Sequence, residues 1–255
     1  MTAGIRPRRS PPYRATGFTV LELAVTISII GVLSVLASGA YSGVLDVRAR
    51  ARAQAEAETA RAAVRTFLLR NKRLPCPDLS SNGAGGREGL AGSCPIGAQV
   101  GWLPYESLGL PPPQPDQRMR YAVSRQGAGA DLVAPPDLGT IDFDGVARLR
   151  SALSQAAKLA RGSDRPFLTG RGSAADPESC SHIVANPAFA LIAPVADRDD
   201  VGSTHPGFDG LNRAMADTSA HCIAAPGRAM DATYDDVVLA ESASTLLGWL
   251  ATTTR

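Results

Sequence analysis

Apolar and polar positions along the chain separate into stretches of different period. Residues Phe18 to Leu45 (FTVLELAVTISIIGVLSVLASGAYSGVL) are nearly all apolar or small, and their single charge is Glu22. A helix needs about 20 mostly apolar residues to cross a bilayer, so the run predicts a membrane-spanning helix. Asp46 to Lys72 follow without a Gly or Pro and are rich in Ala, Arg, Glu and Gln, which favour helix. Within them Ala60, Val64, Phe67 and Leu68 stand at i, i+4, i+7 and i+8, one helical face. The simplest account is one helix ending near Asn71. Its second half lays that face on a folded head, and Arg48, Arg50, Arg52, Glu56 and Glu58 form a solvated face.

Arg73-Leu74-Pro75-Cys76-Pro77-Asp78 ends the helix, because its two prolines withhold backbone donors. The segment SNGAGGREGLAGSC predicts a flexible glycine-rich loop in which Gly83, Gly85, Gly86 and Gly89 serve loop geometry. It contains no G-x-x-x-x-G-K-[ST], so it is not a phosphate cradle of that type. Met119 to Val123 reads as a strand. Val146 to Arg161 reads as a helix with Val146, Leu149, Leu153, Ala157 and Ala160 on one face and Gly162 as its stop. PAFALIAPV, from Pro187, and DDVVL, from Asp235, read as strands. Ser242 to Ala251 closes the chain as a helix with Ala243, Leu246, Leu247 and Leu250 together. A long helix followed by later strands is an α+β order.

Composition adds three constraints. The 26 basic and 24 acidic residues nearly balance, which gives no electrostatic case for nucleic-acid binding. Aromatics are scarce at 5%, against a surface that stacks bases or sugars. The charge is unevenly placed, however. Arg6, Arg8, Arg9 and Arg14 lie in the first 17 residues with no acid among them, and the rest of the chain has 22 basic residues against 24 acidic. A basic leader precedes a slightly acidic body.

Three readings of the N-terminal segment compete. A secretory signal peptide, cut near Ala37 to Ala40, has an apolar core of only about 7–15 residues and no acid. A plain single-span anchor explains the length but not Glu22, because a carboxylate within a bilayer is costly unless paired or protonated. The third reading rests on Gly17-Phe18-Thr19-Val20-Leu21-Glu22-Leu23 after the basic leader. This segment resembles the class III signal of type IV prepilins and type II secretion pseudopilins. A basic leader, a Gly, a Phe, a Glu at a fixed offset and a following apolar run coincide in order.

The resemblance implies cleavage between Gly17 and Phe18 by the prepilin peptidase, a membrane aspartyl enzyme, and N-methylation of Phe18. Residues 1–17 would be the leader, 18–45 the transmembrane and assembly half of the long helix, 46–72 its amphipathic half, and 73–255 a pilin-like head with an antiparallel sheet packed on the helix. Glu22 is fifth from Phe18. Cleavage places an ammonium group about one turn from Glu22, or beside Glu22 of a neighbour, and such a pair persists where either charge alone is expelled. Phe18 and Glu22 are therefore the expected assembly residues. Where the family often has Pro, this chain has Gly39, which with Gly31 and Gly43 is a local weak point. Leu-Pro-Cys-Pro-Asp at 74–78, Leu-Pro-Tyr at 103–105, Leu-Gly-Leu at 108–110 and Tyr-Ala-Val at 121–123 resemble a subgroup of pilin-like proteins and extend the likeness to about residue 125. In that subgroup the block follows the long helix and opens the sheet.

The four cysteines, Cys76, Cys94, Cys180 and Cys222, suggest two disulfides in a domain outside the cytoplasm. Of three pairings, Cys76–Cys94 and Cys180–Cys222 are favoured because both close local loops. A zinc set from Cys180, His182, His221 and Cys222 lacks the usual ligand spacing. Asp197-Arg198-Asp199-Asp200-Val201-Gly202 begins like a calcium loop but breaks the pattern at Val201 and Phe208. An irregular calcium cage from Asp197, Asp199, Asp200 and Asp209, with Asn212 near, is a minor alternative to a solvated acidic turn. Some pseudopilins bind calcium in their sheet region. No nucleophile–base order accompanies the three histidines, so no catalytic residue and no cofactor is expected.

The resulting expectation is a minor pilin or pseudopilin. It would sit as a single-pass protein of the inner membrane with its head in the periplasm, then join a type IV pilus or type II secretion pseudopilus through helix contacts with other subunits. The alternative is a membrane-anchored periplasmic binding module that does not polymerise.

Overall fold

The computed structural model describes residues 19–127, 129–134, 145–170, 179–198, 207–216, 221–231 and 233–253. The chain divides into two compact units, Met1–Val47 and Arg48–Arg255.

The first unit contributes the opening of helix α1 (Val20–Asn71). Thr26, Ser28 and Ser34 each donate a hydroxyl to the carbonyl four residues back, which hides these polar groups along the helix. Val20, Leu21, Leu23, Val25, Ile27, Ile29, Ile30, Val32, Leu33 and Val35 are all exposed. The helix passes Gly31, Gly39 and Gly43 without interruption, so the expected weak point does not break it.

Among the described residues, no helix is long and apolar enough to cross a membrane. Glu22 also lies within the exposed apolar stretch that begins at Val20. This corrects the expected transmembrane half at residues 18–45. It also removes the single-pass inner-membrane placement with a periplasmic head, and the single-span anchor of the alternative reading. What stands of the expected architecture is an α+β chain.

In the second unit, the remainder of α1 buries Ala53, Ala57, Ala60, Val64 and Leu68. These follow the 3.6-residue period of one face. Short strands β1 (Val100–Trp102), β2 (Arg120–Val123), β5 (Phe189–Ala193) and β7 (Val237–Glu241) form an antiparallel sheet in the order β1-β2-β5-β7. Alternation along the strands divides their side chains between two cores. Tyr121, Val123, Phe189, Leu191 and Val237 pack with the α1 face. Helices α3 (Val146–Lys158) and α4 (Ala243–Thr253) add Leu149, Leu153, Leu246 and Leu250 to that core. The short helix α2 (Tyr105–Leu108) contributes Tyr105, whose hydroxyl accepts the Met119 amide at 2.9 Å.

The opposite face of the sheet presents Val100, Trp102, Ala122, Ala190, Ile192 and Val238. It is covered by a second sheet, β4-β3-β6, from β3 (Phe167–Thr169), β4 (Ile183–Ala185) and β6 (Cys222–Ile223), together with a 3-10 segment Gly210–Ala216. Strands β3 and β6 are parallel, so this sheet is mixed and was not anticipated. Burial on both faces explains why Phe189–Ala193 is apolar throughout rather than alternating.

Two local expectations also change. Helix α3 ends at Lys158 with Leu159 extended, so Gly162 is not its stop. The glycine-rich loop is tied down. The buried Asp78 carboxylate accepts amides from Ser80 and Gly86, both at 2.8 Å, and Glu88 takes two bonds from Arg73 and one from the Cys76 amide. Gly89 is required here: with φ of 71°, a Cβ would lie 2.0 Å from the Ser93 carbonyl oxygen.

Candidate functional site

Two places combine charge with unusual surroundings. The first is the start of α1. Gly17 and Phe18, the expected processing residues, lie outside the described residues, as does the leader 1–17. Thr19 and Glu22 are described. The Thr19 hydroxyl oxygen accepts the Glu22 amide at 3.2 Å, and Glu22 Oε2 accepts the Thr19 amide and hydroxyl, each at 3.0 Å. This reciprocal arrangement is a capping box, which satisfies donors that a helix start leaves orphaned. The Thr19 amide, and then its hydroxyl, hold the Glu22 carboxyl below its ordinary range. Glu22 is therefore an exposed anion at neutral pH and the only charged residue from Thr19 to Val35.

The second place lies on the far face of the antiparallel sheet. The chain enters β7 through Asp235 and Asp236, both 1% exposed, and the 3-10 segment begins beside Asp209, which is fully buried. One carboxylate oxygen from each of the three lies within 4.8 Å of the others. Asp235 accepts the Ala196 amide at 3.3 Å and Arg198 Nε at 2.7 Å, so Arg198 offsets its charge. Asp209 Oδ1 accepts the Arg198 amide at 3.0 Å.

Asp236 is held differently. Its Oδ2 accepts Asn212 Nδ2 at 2.9 Å and the Asp209 amide at 3.2 Å, and both donors are neutral. Its Oδ1 is buried and accepts no hydrogen bond. Burial first, then the Asp209 and Asp235 carboxylates, push its ionisation well above the ordinary carboxylate range, against the lowering effect of its two donors. Asn212 is itself fixed from three sides: Nδ2 also reaches the Tyr234 hydroxyl at 3.3 Å, Oδ1 accepts the Ala224 amide at 3.0 Å, and its own amide bonds to the Asp209 carbonyl at 3.0 Å.

The other sequence candidates distribute as follows. Both disulfides form with the locally closed pairings, Cys76–Cys94 and Cys180–Cys222. That uses the thiolates a zinc set needs. His182 is exposed, and His221 Nδ1 lies 3.3 Å from the Ser163 carbonyl. Of the expected calcium residues, Asp197 is exposed, and Asp199 and Asp200 lie outside the described residues. Asp209 is brought instead to Asp235 and Asp236, which the sequence presents as the mouth of a strand. The signal that marks them is the placement of two adjacent carboxylates directly before the apolar run VVL. Asn212 stands near Asp209 in the sequence, and the structure joins both to this cluster.

No family model matches the chain, and no curated protein and no solved structure matches it.

Proposed function

We propose that the chain is a filament subunit of the minor pilin or pseudopilin kind, cut between Gly17 and Phe18 by a prepilin-type peptidase and assembled through the start of α1. The observation that carries this reading is Glu22 at the first turn of α1, charged and capped by Thr19, at the head of an exposed apolar row from Val20 to Val35. Those side chains have no partner within the described chain that would hide them. Packing beside like helices removes such a surface from water, at about 25 cal/mol per Å². The new Phe18 ammonium would stand next to Thr19, within reach of a carboxylate that is already ionised.

The reading includes no membrane span. The second unit, from Arg48, supplies a folded body with two cores and two disulfides and carries whatever distinguishes this subunit from others. The test is incorporation. Expressed with its native assembly machinery, the chain should appear in the sheared filament fraction, and Gly17→Ala should leave an uncut precursor absent from it. Normal cleavage and incorporation of Gly17→Ala would overturn the proposal.

A further inference from the structure

Three buried carboxylates converging within 4.8 Å are an anomaly that needs a neutralising partner. Bringing charge out of water costs several kcal/mol per ion even in relaxed protein interiors, and like charges add to that cost. Arg198 pairs with Asp235 at 2.7 Å. Asp236 has neutral donors on Oδ2, and its buried Oδ1 accepts no hydrogen bond. A cluster that served only as hydrogen-bonded packing would engage that oxygen too, since buried polar atoms are ordinarily satisfied.

We propose that Asp209, Asp235 and Asp236 bind one hard divalent cation of the calcium or magnesium type, with the uncommitted oxygen of Asp236 as a ligand. All the donors are oxygens, which such ions prefer over soft metals. The separations suit an ion with metal–oxygen bonds of about 2–2.6 Å. Neutral groups position the ligands: Asn212 fixes Asp236, and the backbone amides of Arg198 and Ala196 fix Asp209 and Asp235. The ion would clamp the entry of β7 to the 3-10 segment Gly210–Ala216, linking the antiparallel sheet to its covering layer. The inference does not depend on the filament reading, because it concerns the second unit alone.

The experiment uses the full chain, freed of metal by chelator and then dialysed. Calcium, magnesium and manganese chlorides are titrated separately by calorimetry, and thermal unfolding is followed with and without each. The expected result is one ion bound per chain and an unfolding midpoint raised by about 5 °C at saturation with the preferred ion. Asp236→Asn keeps the shape and the Asn212 contact while removing the charge. It should fold in chelator and lose the ion-dependent shift. Asp116→Asn, on the exposed loop, should retain the shift. The proposal is overturned if the wild-type chain binds none of the three ions at millimolar concentration with an unchanged midpoint, or if Asp236→Asn responds as wild type does. Should Asp236→Asn fail to fold, the wild-type titration alone decides.

Discussion

Thr19 and Glu22 cap each other: the Thr19 hydroxyl oxygen accepts the Glu22 amide at 3.2 Å while Glu22 Oε2 accepts the Thr19 amide at 3.0 Å. Glu22 thus has two separable duties, a hydrogen-bonding one at the start of α1 and an electrostatic one toward the ammonium that cleavage would create.

Substitution separates them. Glu22→Gln preserves a capping-box acceptor but removes the charge, whereas Glu22→Ala removes both and costs about 1 kcal/mol of helix-start stability. If the charge pairs with the ammonium, both variants are processed and both are poorly incorporated into filaments, which quantitative immunoblotting of the sheared fraction measures. Normal incorporation of Glu22→Gln would assign Glu22 to capping alone.

Within the second unit, the part of α1 beyond Arg48 is held to the rest of the fold by charge as well as by packing. Arg65 Nη2 meets Glu241 Oε1 at 2.6 Å, Arg61 lies 3.7 Å from the same oxygen, and Arg65 stacks over Trp249 at 5.1 Å. Glu241 is 3% exposed, so removing its principal partner strands a buried charge. Arg65→Ala is expected to lower unfolding stability by about 3 kcal/mol, measured by urea denaturation. Arg52→Ala, which breaks the exposed pair with Glu56 at 2.8 Å, is expected to cost less than about 1 kcal/mol.

The disulfides should differ in their effect. Cys180 and Cys222 are 42 residues apart and Cys76 and Cys94 are 18 apart. By loop entropy, the first bridge contributes about 4 kcal/mol and the second about 3. The Cys180→Ser, Cys222→Ser double variant should therefore lose more stability in denaturant than the Cys76→Ser, Cys94→Ser variant. The latter also keeps the Asp78 and Glu88 contacts that order the same loop.

Much of the second unit was legible because its signals are local and periodic. Ala60, Val64, Phe67 and Leu68 mark a helical face over two turns, and all four are buried. Phe189–Ala193 is apolar enough to require cover on both sides, and it has it. The mixed sheet was not legible, because β3, β4 and β6 are two or three residues each, too short to show a period. The acidic cluster was half legible. Asp209 and Asn212 stand close together in the sequence, but Asp235 and Asp236 arrive from 26 and 27 residues further along, brought in by the pairing of β7 with β5. The membrane-spanning expectation treated the whole of 18–45 as one apolar run, whereas among the described residues no helix is long and apolar enough to cross a membrane.

The central claim is that the working molecule begins at Phe18. Mass spectrometry of the N-terminal peptide of the chain, isolated from cells that carry its native assembly machinery, tests it directly. The account predicts a mature terminus at Phe18 bearing one added methyl group, with no peptide from Arg6 to Arg14. An intact Met1 terminus, or a cut near Ala40 that discards Glu22, would contradict it.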